Sequence, residues 1–186
     1  MPWMRYAMRY LTETLLVILV FSFFQIDEVQ GAVLKPLSLA QLVSRADAVV
    51  RGRVVRSQSW QDEDGGRIFT RHFVEVSATY RGQPRELVEV VTLGGEVDSI
   101  GIGQLVPGEA KLVQGEEVVL CLRKTGGEYR PLGMAMGKFA VDGKMLKRDM
   151  NGVHLMGNST HTVPGVLNID LLIDECKRAG EAANGE

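Results

Sequence analysis

Three consecutive runs of alternating, β-branched residues constrain the fold of this chain more than any other feature. They read "AVVRGRVVRSQSW" from Ala48, "RIFTRHFVEVSATY" from Arg67 and "ELVEVVTL" from Glu86. Alternation of apolar and polar residues with a period of two is typical of strands that bury one face. The connections "QDEDGG" and "RGQP" are short and contain turn-forming residues, so the pattern predicts three consecutive antiparallel strands.

More strands follow after a glycine-rich connection at residues 94–115. The stretch "GEEVVLCLRKTGGEYRPLGMAMGKFAV" reads as a strand, a tight turn at "TGG" and a second strand, and Asp142-Gly143 suits a type I′ hairpin turn. Five to seven short strands, with glycines such as Gly52 at bends, favour a small sheet that closes on itself and protects its edges. We therefore expect a mainly β, OB-like small barrel, with a β-sandwich as the alternative.

Two helices are expected to flank these strands. Ser38 and Gln41 have capping-box spacing and begin a short helix that ends near Ala46. The stretch "VLNIDLLIDECKRA" predicts a closing helix that stops at Gly180, after which residues 181–186 form a frayed tail. The residues between Gly152 and Gly165 show no periodicity and are read as a loop.

The first residues have the pattern of a secretory signal peptide. Arg5 and Arg9 precede an apolar run from Leu15 to Phe24, which is shorter than the ~20 residues of a membrane-spanning helix. Small residues before position 32 then predict cleavage after Gly31. We expect a protein exported to the periplasm or the extracellular space, with an uncleaved anchor as the alternative.

Length limits the number of domains, and charge limits the kinds of ligand that the chain can bind. Removing residues 1–31 leaves 155 of the 186 residues, which is enough for one domain, expected at residues 32–180. Residues 1–31 contain two of the 21 basic and three of the 23 acidic side chains, so the mature chain carries a net charge of −1. The composition gives no electrostatic footprint for nucleic acid, and no membrane span is expected after cleavage.

Four sequence segments resemble a known module. "ADAVVRGRVV", "VEVSATYRG", "VEVVT" and "GEEVVLCL" follow one another in the order found in the netrin-like module, the OB-type barrel of tissue inhibitors of metalloproteinases. The same layout is similar to that of uncharacterised exported bacterial proteins, and it covers about residues 46–124. The resemblance implies the fold. The inhibitors act through an amino-terminal cysteine, whereas this chain has no cysteine before position 121, so the resemblance does not imply that mechanism.

A candidate binding surface lies on the second strand. In OB barrels the ligand usually lies across strands 2 and 3, and alternation places Phe69, Arg71, Phe73 and Glu75 together on the polar side of the second strand. An aromatic pair on that side can stack on a sugar, a base or a peptide, although helix packing would also bury it. We expect this surface to bind a protein or glycan ligand.

Other candidate sites have weaker patterns. His154 and His161 lie in the loop, but no third residue is spaced to complete a zinc site. No complete catalytic motif is present, so we expect a non-catalytic, envelope-associated or binding module without a cofactor. The alternatives are a metal-dependent hydrolase that uses these two histidines and a protease inhibitor that acts through a loop.

The two cysteines are expected to form a disulfide. Alternation places Cys121 on the outer face of its strand, and helical spacing places Cys176 on the apolar stripe of the closing helix. The thiols would meet if that helix packs on the outside of the strand, and an exporting compartment favours the bond. Two separate buried thiols are the alternative.

Overall fold

The computed structural model describes residues 31–156 and 164–184, which belong to one compact unit, Gly31–Glu186. Residues 1–31 were predicted to form a signal peptide, and all but Gly31 of that segment lie outside the described residues. Two α-helices are described, α1 (Leu39–Arg45) and α2 (Ile169–Asn184), together with a 3-10 helix at Met134–Gly137. The described strands are β1 (Ala32–Leu34), β2 (Ala48–Gln61), β3 (Ile68–Arg81), β4 (Leu87–Leu93), β5 (Gly95–Val97), β6 (Ile102–Gln104), β7 (Glu117–Thr125), β8 (Glu128–Pro131), β9 (Lys138–Asp142), β10 (Met145–Lys147), β11 (Val153–Leu155) and β12 (Val166–Asn168).

Five strands close into a barrel. Their order around the ring is β7, β2, β3, β4 and β8, and β8 also pairs with β7. All pairs are antiparallel except β4 and β8, which meet in parallel at Val90 and Tyr129. An order of first, second, third, fifth and fourth strand is that of an OB-type barrel. The mainly β, OB-like barrel is therefore confirmed.

The sheet continues beyond the ring and carries the helices. From β7 it extends through β9 and β10 to β12, and α2 begins at the residue after β12. The β1 strand pairs in parallel with β11. Helix α1 begins at the Ser38 capping box, in which Ser38 Oγ accepts from Gln41 N–H at 3.2 Å and Gln41 Oε1 accepts from Ser38 N–H at 3.0 Å. Predicted and observed bounds of α1 agree.

Two apolar cores share the walls of β2 and β7. The interior of the barrel is filled mainly by valine and leucine, including Val50 of β2 and Leu120 of β7. The second core lies between the outer face of these strands and the helices, and it contains Val49, Val119 and Leu172. Successive residues of one strand point to opposite faces, so a strand buried on both sides reads as a continuous apolar run.

Gly52, where the sequence predicted a bend, lies at a register shift of β2. The register of β2 against β3 shifts between Arg51 and Gly52. A Cβ atom at Gly52 would collide with the carbonyl oxygen of Glu75 and lie 2.8 Å from Val74 Cγ1. Only glycine lets the two backbones approach this closely.

The carboxyl-terminal region differs from the prediction. Helix α2 does not stop at Gly180 but continues to Asn184, and the residues Val166–Asn168 form β12 instead of the first turn of the helix. Glycine ends helices where it takes a left-handed conformation, and Gly180 is not among the glycines with positive φ. Part of the predicted loop is also strand, since β11 pairs with β1.

Neither described helix suits a bilayer crossing. Within residues 31–156 and 164–184, no helix combines the length and the apolar character that a membrane span requires.

Candidate ligand-binding face

The four residues predicted to form a binding surface lie on the outer face of β3. Phe69, Arg71 and Phe73 are half-buried, and Glu75 is exposed. The residues between them point into the barrel and are buried. The alternation in the sequence therefore predicts correctly which side chains of β3 face outward and which face the barrel interior.

Trp60 and Phe69 form a stacked pair on this face. They are directly opposite in the β2–β3 register, with ring centroids 5.6 Å apart and an angle of 21° between the ring planes. The Arg71 guanidinium lies 5.1 Å from the Trp60 ring centroid, and the Arg130 guanidinium lies 5.6 Å from that of Phe69. The result is a ladder of guanidinium, ring, ring and guanidinium. Each such contact is worth about 0.5–1 kcal/mol at an exposed site.

A second pair extends the ladder along the hairpin. Arg56 is opposite Phe73 in the register, and its guanidinium lies 4.0 Å from the ring centroid. None of the ion pairs among the described residues includes Arg56. A guanidinium stacked on a ring keeps its in-plane N–H donors for other partners. Arg56 therefore offers donors that a ligand can use.

Two glutamates face the other arginines. Arg71 Nε is 3.3 Å from Glu89 Oε2, and Arg71 Nη2 is 3.4 Å from Glu128 Oε1. Arg130 Nη2 is 3.6 Å from Glu128 Oε2. All four side chains are more than a third exposed, and solvent-screened pairs of this kind contribute about 0–1 kcal/mol. A ligand carboxylate can replace either glutamate at little cost.

A groove adjoins the ladder on the side of β8. It has a volume of about 440 Å³, and its lining includes Arg71, Glu89, Glu128, Lys124 and Tyr129. Lys124 Nζ lies 5.9 Å from the Tyr129 ring centroid. Arg71 thus connects two parts of one surface, because it contacts Trp60 of the ladder and also lines the groove.

Sequence reasoning missed half of this surface. Trp60 and Arg56 were not singled out, although the short "DEDGG" loop fixes the register that places them opposite Phe69 and Phe73. Arg130 and Glu128 come from β8, whose position beside β4 depends on barrel closure, and no local pattern predicts that contact. Glu75 lies on the predicted face but makes no ion pair with a described residue.

The predicted positions of the two cysteines agree with the structure. Cys121 lies on the outer face of β7, and Cys176 of α2 belongs to the same buried core between helices and barrel. Both are free thiols in the structure. Burial, and secondly the nearby Cys176, raises the pKa of Cys121 to about 12, and burial raises the pKa of Cys176 to about 11. Neither thiol is therefore activated as a nucleophile; the disulfide stays a prediction.

The two loop histidines are not brought into a described site. His154 is an exposed residue of β11, and His161 lies outside the described residues. Among the residues that the structure describes, no three His, Cys, Asp or Glu side chains are grouped to hold a metal ion.

No protein-family model matches the chain, and no curated protein resembles it closely enough to count as a relative. Function is therefore inferred from the chemistry of the site itself.

Proposed function

We propose that this protein is an exported, non-catalytic binding module that holds an acidic segment of another protein on the outer face of β3. One observation carries the proposal. Three guanidiniums are stacked on aromatic rings at the place where OB-type barrels bind their ligands. Stacking fixes each guanidinium in position. Arg56 has no carboxylate partner among the described ion pairs, and a ligand carboxylate can displace the solvent-screened glutamates that pair with Arg71 and Arg130.

The geometry favours a peptide over a sugar. A sugar stacks on an open ring face, but Phe69 lies between Trp60 and Arg130, and Phe73 is covered by Arg56. The groups that this surface presents are guanidinium edges and ring edges. Carboxylate side chains on an extended segment match the guanidiniums in charge and in hydrogen-bonding capacity.

Export is supported by the leader pattern of residues 1–31. An oxidising compartment outside the cytoplasm also suits a protein whose two cysteines share one buried core.

The proposal is tested with labelled probes of defined charge. A fluorescent decapeptide of alternating Glu and Gly is compared with its Lys–Gly counterpart, an uncharged cello-oligosaccharide and a single-stranded oligothymidylate. We expect saturable binding of the acidic peptide alone, weakened by added salt because the charges are exposed. Preference for the oligosaccharide or the oligonucleotide would refute an acidic protein ligand.

Two variants locate the binding. Combined Arg56→Gln and Arg71→Gln should reduce the affinity for the acidic peptide at least tenfold, since each removes a charge-assisted hydrogen bond worth about 1.5–3 kcal/mol. Arg178→Gln on α2 is the matched control, because Arg178 is exposed and pairs only within its own helix. Equal loss in the control would mean a nonspecific charge effect.

A double substitution of the rings separates binding from folding. Phe69→Ser with Phe73→Ser should lower the free energy of unfolding by roughly 3 kcal/mol without unfolding the protein, since two half-buried rings and their three ring contacts are lost. The same variant should bind the acidic peptide weakly, because Arg130 and Arg56 lose their platforms. If it unfolds instead, the rings are core residues and this face is not a binding surface.

A further inference from the structure

The barrel interior changes from apolar to polar at one end. On β2, β3 and β4 the inward-pointing residues are valines along most of the barrel and then become hydroxyl or imidazole residues at a common level. The buried polar residues of this end are Thr70, His72 and Thr92, and they are joined from β2 by Ser59, which is half-buried, and Ser57, which is exposed. Polar side chains inside a small barrel are unfavourable unless they are hydrogen-bonded. Such a change on three neighbouring strands points to a use for this end.

The polar side chains form two hydrogen-bonded rows across the strands. In the first row, Thr70 Oγ1 donates to the carbonyl of Gly94 at 2.6 Å, so the Ser59 hydroxyl at 2.9 Å donates to Thr70. In the second, His72 Nδ1 is 2.7 Å from Ser57 Oγ, and His72 Nε2 is 3.0 Å from Thr92 Oγ1. The imidazole thus connects two hydroxyl groups.

The second row can present either a donor or an acceptor. Neutral imidazole has one N–H and one bare nitrogen, so one of its two hydroxyl partners donates to the ring and the other accepts from it. If Thr92 accepts from Nε2–H, its own hydroxyl proton is free to donate elsewhere. If Thr92 donates to Nε2, only its lone pairs are free. The tautomer of His72 therefore decides whether the Thr92 hydroxyl offers a further partner a donor or only acceptors.

A cavity of about 560 Å³ lies directly over this polar end. Thr70, His72 and Thr92 contribute to its lining, and so does Glu109, whose carboxylate accepts from Leu93 N–H at 3.3 Å and Ala110 N–H at 2.9 Å. This volume falls within the range of small-molecule sites.

The rim of the cavity is apolar and open. Leu105 is 81% exposed and Val113 is 62% exposed, and both line the cavity. They belong to the connection between β4 and β7, which buries Ala110 and Leu112 but leaves these two side chains in solvent. An apolar rim above a polar floor matches a molecule with an apolar body and a polar head.

Charge selects among possible head groups. A ligand anion would be repelled by Glu109. The lining also contains Glu96 and Lys111, which are charges of opposite sign. A ligand cation would lose its hydration beside Lys111 and beside the Glu109 carboxylate, which already accepts two backbone hydrogen bonds and feels the positive charge of Arg130. A hydroxyl head is uncharged and both donates and accepts, as Thr92 does.

We propose that this cavity binds a small uncharged molecule with an apolar body, whose hydroxyl group is held by Thr92. The site lies on the inner side of the strands whose outer side carries the ladder. Binding of the small molecule is therefore independent of the proposed peptide binding. Nothing in the inference depends on that peptide.

Three probes with one body and different heads test the proposal. Phenethyl alcohol, phenethylammonium and phenylacetate are titrated into isotope-labelled protein produced from the full sequence, and the backbone amide resonances are followed. We expect the alcohol to shift the amides of Thr70, Thr92, Leu93 and Ala110 saturably, with a millimolar Kd as for any ligand of about nine heavy atoms. The ammonium and carboxylate probes should bind at least fivefold more weakly. Absence of saturable shifts at these amides, or equal binding of the three probes, would overturn the proposal.

Two substitutions test the position of the ligand. Thr92→Val should lower the affinity for the alcohol about fivefold, because loss of one uncharged hydrogen bond lowers an affinity by about that factor. Because that change also removes a partner of His72, Leu105→Asp at the open rim gives a second measurement and should weaken the alcohol severalfold. Leu171→Asp is the control, since Leu171 is an exposed residue of α2 outside the cavity lining. Unchanged binding to the Leu105→Asp protein would refute this location.

The two proposals fail independently. The Phe69→Ser, Phe73→Ser protein should bind phenethyl alcohol as the unmodified protein does, while losing the acidic peptide.

Discussion

Acidification should destabilise this protein through His72. The side chain is 5% exposed, and both ring nitrogens are hydrogen-bonded to hydroxyl groups in the neutral form. Burial lowers the pKa of His72 from 6.5 to about 4. Between these values the unfolded chain binds a proton that the folded chain does not, so the free energy of unfolding falls as the pH is lowered from about 6.5 to about 4. Above about 6.5 this residue adds no pH dependence.

The size of the effect follows from the shift. A pKa that is lower by about 2.5 units in the folded state corresponds to roughly 3 kcal/mol when the transition is complete. Between about pH 7.5 and about pH 4.5 the linkage relation gives a loss of about 2.5 kcal/mol. That is a large part of the 5–15 kcal/mol by which domains are usually stable.

Urea unfolding at these two pH values measures the loss, and His72→Gln is the comparison. Glutamine keeps a donor and an acceptor but does not titrate. Burial raises the pKa of Glu109, which contributes in the opposite direction, but this group is present in both proteins. The difference between the two pH-dependent losses therefore isolates His72. It should be about 2.5 kcal/mol, with the unmodified protein losing more. Equal losses in both proteins would show that His72 is not held neutral by burial.

Three further outcomes are expected. Non-reducing peptide mapping of exported protein should find Cys121 linked to Cys176, a bond that on the chain-entropy model stabilises by roughly 4 kcal/mol; two freely alkylated thiols would contradict it. Amino-terminal sequencing of the same material should begin at Ala32 or within a few residues of it, whereas a full-length product in the membrane would mean a retained anchor. Gly52→Ala should lower the free energy of unfolding by about 1–3 kcal/mol because its Cβ meets the backbone of β3. Gly66→Ala, which meets nothing within 4 Å, should change it little, and equal effects would refute the steric argument.

Local patterns predicted the parts of the fold that depend on neighbours in sequence. The β2–β3–β4 meander, the capping box at Ser38 and the hairpin at Asp142 and Gly143 all follow from spacing and turn chemistry. Gly180 shows the limit of such rules. Glycine is a stop signal only where the backbone leaves the helix, and at this position the helix continues.

Contacts between distant segments could not be predicted in this way. Phe69, Arg71 and Phe73 were placed on the correct face because they lie on one strand. Arg130, which lies over the Phe69 ring, comes from β8, and β8 reaches that face only through closure of the barrel. The polar floor was missed for the same reason, since the hydroxyl partners of His72 lie on two other strands.

The two cores described above have one wall in common. In β2, Val49 faces the helices and Val50 faces the barrel interior, and in β7 the same holds for Val119 and Leu120. Unfolding of either core would expose apolar side chains of β2 and β7, the strands that also form the wall of the other core. Both cores should therefore unfold in one cooperative transition. A ligand that stabilises the barrel thereby slows proteolysis and amide exchange in α2, although it touches no residue of that helix. Protection of the carboxyl-terminal helix is thus a readout of binding that can be followed before the ligand itself is known.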